Sequence, residues 1–136
     1  MDTLPIEQVI QRLKDNCPDL KDVIRALAFV LPTGFPSAYV FQVSERASPN
    51  ALLGRHTQKV TGIIGVEIMH RHAAQIATGG PGAQELDAIR MGVMDALKGW
   101  TPGPEFLPFD FHNGDLISYK DGFVIWRDQY STSFYR

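Results

Sequence analysis

Apolar residues recur at helical spacing from Pro5 to about Asn16. Ile6, Val9, Ile10 and Leu13 line one face, and Glu7, Gln8, Gln11, Arg12 and Lys14 the other. The spacing predicts an amphipathic helix, with Thr3 as its cap, Pro5 in the first turn and Pro18 past its end. Lys21 to Ala26 suits a short strand, whereas the apolar run Leu27 to Leu31 is too short to distinguish strand from helix. Between Ser37 and Ser44, Ala38-Tyr39-Val40-Phe41-Gln42-Val43 is dense in aromatic and branched residues and predicts a strand. Glu45 to His56 has no sustained period and is expected to be a long loop.

A period of two returns from Thr57 to Arg71 and predicts the longest strand, with Gly62 or Gly65 as a place to bend or one end projecting. Ala73 to Gly82 is expected to be a turn region. Ala83 to Lys98 then places Leu86, Ile89, Val93 and Leu97 on one helical face, and Gly99 stops the helix. Three runs follow, Phe106 to Phe111, Asp115 to Lys120 and Phe123 to Tyr130. They are separated by Asn113-Gly114 and Asp121-Gly122, both tight hairpin signals, with Ser131 to Arg136 as a polar tail.

This order lacks the strict alternation of strand and helix that builds parallel sheets. It predicts an α+β fold in one domain over residues 1–136. A mostly antiparallel sheet carries two amphipathic helices on one face and ends in a C-terminal three-stranded meander. The other face of the sheet is left for a partner. In the last run Phe123, Ile125 and Arg127 alternate with Val124, Trp126 and Asp128, so apolar residues reach both faces and part of this cluster belongs to a subunit contact.

The chain has 136 residues, 44% of them hydrophobic, which is enough for one core without disulfides or a structural metal. Thirteen Lys and Arg against fifteen Asp and Glu give a formal charge of −2, so the excess of positive charge that sequence-independent DNA binding uses is missing. The single cysteine, Cys17, makes no internal disulfide and reads as a small apolar filler behind a helix. No stretch approaches the roughly 20 apolar residues of a membrane span, and the first residues lack the pattern of a signal peptide, so the expectation is a cytoplasmic product.

Candidates for chemistry are thin. Thr78-Gly79-Gly80-Pro81-Gly82 opens a helix, where free backbone donors favour a phosphate, but the stretch matches neither a P-loop nor G-x-G-x-x-G. His70 and His72 share a face at the end of the long strand and could share a metal with an Asp or Glu nearby, but solvated side chains at a strand end are the simpler reading. His56 and His112 come with no recognisable nucleophile arrangement. Asp110, Asp115, Asp121 and Asp128 fall where aspartate serves turns and strand ends. A small ligand-binding or metal-dependent enzyme domain built on the glycine-rich turn and these histidines is one alternative, testable by thermal shift with nucleotides and divalent metals.

Several fragments in order carry a resemblance. They are Asn16-Cys17-Pro18-Asp19-Leu20-Lys21, Glu45-Arg46-Ala47-x-x-Asn50, the strand from Val60 to Arg71 and Leu86-x-x-Ile89-Arg90-x-x-Val93-x-x-Ala96-Leu97-x-Gly99-Trp100-x-Pro102. Gly114-x-Leu116 and Gly122-x-x-x-Trp126-x-Asp128-x-Tyr130 complete the series. Over almost its whole length the chain resembles the tail terminator proteins of long-tailed bacteriophages and prophage elements. The resemblance implies a structural virion protein without catalysis, cofactor or metal. It implies a hexameric ring of copies of this chain on the head-proximal end of the tail tube, which stops polymerisation and offers the head-attachment surface. The implied partners are the chain itself, the tail tube protein and the head-side connector protein, with DNA only passing through and no membrane. The implied location is the virion tail, assembled in the host bacterial cytoplasm. Another head–tail joining or completion protein is the second alternative. For contacts between subunits or partners the expected residues are Glu45, Arg46 and Asn50 in the long loop, Arg71 and Asp128 as charge partners, and Trp126.

Overall fold

The computed structural model describes residues 3–26, 32, 34–50, 54, 56–71, 81–120 and 122–136. Among them the elements run α1 (Ile6–Asn16), β1 (Asp22–Arg25), β2 (Ser37–Ala47), β3 (Lys59–His70), α2 (Pro81–Leu97), β4 (Asp110–Lys120) and β5 (Phe123–Tyr135). The strands form one five-stranded sheet in the order β1-β2-β3-β5-β4. Only the β1–β2 pair is parallel, and the fold is α+β. The apolar run 27–31, His72, residues 73–80 and Asp121 lie outside the described residues.

Sheet alternation decides where the core sits. On β3 the side chains of Val60, Ile64, Val66 and Ile68 are buried toward the helices, and on β5 those of Val124, Tyr130 and Phe134 join them. Helix α1 meets this face through Ile6, Val9, Ile10 and Leu13, and α2 through Leu86, Ile89, Val93, Ala96 and Leu97. Each of the Val, Ile, Leu and Phe side chains contributes about 1.5–3 kcal/mol when fully removed from water. Arg12 ties the helices together: its Nε donates to the Ala96 carbonyl at 2.9 Å, and its guanidinium lies 5.2 Å from the centre of the Trp100 ring. Cys17 is buried at the end of α1, and burial pushes its thiol up from the ordinary value.

Both helices form where the periodicity places them, but α1 starts without a side-chain cap. Pro5 occupies the cap position, and its carbonyl accepts from the Val9 N–H at 3.1 Å, so Thr3 does not cap. Gly99 ends α2 with φ at 79°, in the left-handed region that glycine enters without steric cost. The chain then folds back, with the Gly99 N–H donating to the Phe109 carbonyl at 2.7 Å and Phe109 stacked 6.0 Å from Trp100.

Three strand boundaries differ from the sequence expectation. β2 continues through Glu45 and Arg46 to Ala47, so these residues pair with Gly62, Thr61 and Val60 of β3 instead of forming a loop. Backbone pairing extends the strand where neither side is covered, which removes the alternation that would have marked it. The C-terminal unit has two strands in place of the expected three-stranded meander. Asn113-Gly114 makes no turn and lies inside β4, which absorbs register shifts between Phe111 and Asn113 and between Leu116 and Ser118 as bulges. Gly122, with φ at 79°, does turn the hairpin. Residues 131–135 are no tail, because the length of β3 gives them partners and buries Phe134 opposite Val60.

Candidate subunit and partner interface

Asp128 stands at a core-facing position of β5 and is completely buried. An isolated buried carboxylate would cost many kcal/mol, so it must be matched by donors. Arg90, near the middle of α2, supplies two of them: Nε and Nη2 each lie 3.0 Å from one carboxylate oxygen. The Trp126 indole N–H donates to Oδ1 at 2.9 Å, and the same guanidinium lies 4.2 Å from the Trp126 ring centre. Gly114 of β4 faces this cluster. A Cβ there would fall 2.5 Å from Asp128 Oδ1, so the absence of a side chain makes room for the ion pair. Tyr130 is buried two residues further along β5. Its hydroxyl has no hydrogen-bond partner among the described residues, and burial first, with the Asp128 charge second, holds its ionisation well above the ordinary phenol value.

Beside this cluster a groove of about 540 Å³ opens between α2 and the β4–β5 hairpin. Ala83, Leu86, Leu116, Tyr119, Val124 and Trp126 make it apolar, and Asp87 and Arg90 line it as well. Leu116 and Tyr119 remain 53% and 43% exposed, a large apolar surface on an edge strand.

At the opposite end of the sheet, residues 42–47 of β2 are exposed and form an arm with the start of β3. Glu45 lies 3.4 Å from Arg136, and the Asn50 side-chain oxygen accepts from the Thr57 N–H at 3.1 Å. Arg46 is exposed.

The face of the sheet away from the helices has its own packing. Phe41 covers Gly65, and Arg127 lies 5.1 Å from the Phe41 ring centre while donating to Glu67 at 2.6 Å. Phe35 and Phe123 pack at 5.2 Å, with Arg71 above both at 4.5 and 5.8 Å. Arg71 therefore does not meet Asp128, whose partner is Arg90. A smaller cavity of about 350 Å³ is lined by Asp19, Lys21, His70 and Glu85 among others, with His70 Nε2 2.7 Å from Glu85 Oε2. Among the described residues no group of three or more His, Cys, Asp or Glu is placed to hold a metal ion.

The structure thus brings Trp126 and Asp128 together, gathers Glu45, Arg46 and Asn50 on the arm, and leaves Arg71 apart on the far face. Arg90 and the groove were not singled out as a site from the sequence. The signal was present, since an aspartate at a core-facing strand position demands a counter-charge from the helix above it.

The fragments Leu86 to Pro102, Gly114-x-Leu116 and Trp126-x-Asp128 meet in space around one ion pair. Over the same chain, a family profile described as phage tail terminator protein matches residues 1–136. The chain belongs to the phage tail terminator protein family. It is a structural component of a virion tail. Among solved structures, one chain of the virion of a native gene transfer agent (GTA) particle has the same fold, with a TM-score of 0.65 at 14% identity, covering 98% of this chain and 100% of that one. No curated protein sequence matches significantly.

Proposed function

We propose that this tail protein closes into a ring of six copies on the head-proximal end of the tail tube, stops tube polymerisation and presents the surface to which the filled head attaches. The observation that carries the reading is the family match over the whole chain, 1–136. The two ends of the sheet support it physically. One edge ends in an apolar groove and the other in a polar arm, and a ring of identical copies needs two unlike patches that meet head to tail.

In this reading the tube protein and a head-side connector bind opposite rims of the ring, which is assembled in the host cytoplasm. DNA passes through the centre, and a net charge of −2 suits a channel that must not retain phosphates. Glu45, Arg46, Asn50, Arg71 and Trp126 are contact residues, while Asp128 holds Arg90 and Trp126 in place behind the contact. The action is mechanical, through surfaces that stick, with no catalytic step, cofactor or membrane. Electron micrographs of tails made without the protein test it. Abnormal tail lengths or headless tails are expected, and tails of normal length joined to heads would contradict it.

A further inference from the structure

The groove beside Arg90 is apolar inside and acidic at its lip. Asp128 already holds the charge of Arg90, so Asp87, which is exposed, is the carboxylate the groove offers to a newcomer. Asp95, also exposed, adds to the negative outer face of α2. The arm has the opposite balance. Glu45 is engaged by Arg136, which leaves Arg46 and Lys59 as its basic side chains. Val43 is the extra residue of a bulge between Gln42 and Ser44 and stands 39% exposed, an apolar side chain on the same half-strand as Arg46.

The two surfaces are out of each other's reach within one chain. Arg46 pairs with Thr61 and Trp126 with Ile68, a difference of seven residues along β3, or about 23 Å; the arm and β4 also lie three strand spacings apart, about 14 Å. Diagonal placement of complementary patches favours association between copies, because each copy then offers one patch to either neighbour. The groove runs along α2 from Ala83 to Arg90, roughly 10 Å of helix, which matches the three-residue reach from Val43 to Arg46 in a strand.

We propose that the groove between α2 and the β4–β5 hairpin receives residues 42–47 of a second copy of this chain, with Arg46 on Asp87 and Val43 against Leu116 and Tyr119. The assignment rests on the ring proposed above and adds which surfaces meet in it. The occupant is a second copy, because the charge that complements the lip stands on this chain's own arm.

Cross-linking in assembled tails separates the two claims. An amine-reactive cross-linker applied to wild-type tails gives a ladder of covalent multiples if the ring exists, and its absence overturns the ring and this contact together. Tails built with the Arg46→Cys, Asp87→Cys double variant are treated with a short bis-maleimide. Both positions are exposed, and the native Cys17 is buried. The expected result is a ladder reaching the same multiple as the amine ladder from the double variant, and only monomer from either single variant. Monomer alone from the double variant, in tails that keep the amine ladder, overturns the contact and leaves the ring standing. Should the cysteine chain fail to enter tails, the charge-exchanged Arg46→Asp, Asp87→Arg chain decides: entry at wild-type level supports the contact, and exclusion overturns it.

Discussion

Asp128 and Arg90 form a two-point ion pair across the interface of β5 and α2, each contact 3.0 Å long, with the carboxylate fully buried. Deleting one partner of such a pair strands the other charge in a poorly hydrated place. Asp128→Ala is expected to cost about 3–5 kcal/mol of stability in urea titrations. The exposed pair Arg25–Glu7 is the internal control, since Glu7→Ala is expected to cost under about 1 kcal/mol.

Gly114→Ala places a methyl group 2.5 Å from Asp128 Oδ1 and 3.1 Å from both Arg90 Nη2 and Trp126 Nε1. Overpacking of this kind is expected to destabilise by about 1–3 kcal/mol. The same group is disturbed by Asp128→Ala, so the double variant is expected to be less destabilised than the sum of the singles. A double-mutant cycle by chemical denaturation checks both statements.

Tyr130 sets an alkaline limit. Its folded-state ionisation lies above that of the unfolded chain, so above about pH 10 the unfolded state loses a proton that the folded state keeps. The stabilisation is fully present below that pH and falls as pH rises. Tyr130→Phe removes a buried hydroxyl without a partner among the described residues. It is expected to be neutral or slightly stabilising at pH 7 and to lose less stability than wild type between pH 9 and 11, measured by urea midpoints across that range.

Arg12 joins α1 to the end of α2 through the Ala96 carbonyl and the Trp100 ring. Arg12→Ala is expected to cost about 1–2 kcal/mol, and Arg12→Lys to recover only part of it, because an ammonium does not reproduce the planar stacked group. Thermal unfolding of the two variants against wild type provides the check.

The helices were legible because Ile6, Val9, Ile10 and Leu13, and again Leu86, Ile89 and Val93, repeat at the spacing that one buried face imposes. Gly99 and Gly122 were legible because both take the left-handed backbone their positions suggested. Gly114 misled for a physical reason: next to Asn113 it reads as a turn, but the fold uses it for the space it leaves below Asp128. Glu45 and Arg46 read as loop because the outer half of β2 is polar on both sides and held by backbone pairing to β3. Asp128 read as a strand-end aspartate and a charge partner for Arg71 because the arginine that binds it, Arg90, is 38 positions away on α2.

A closed ring built from unlike surfaces of one chain is open to imaging of the head-proximal end of intact tails at side-chain resolution. Six copies are expected around the channel, each with Arg46 in the neighbour's groove beside Asp87. A single copy at the tail end, or copies meeting through the same surface on both sides, would contradict it.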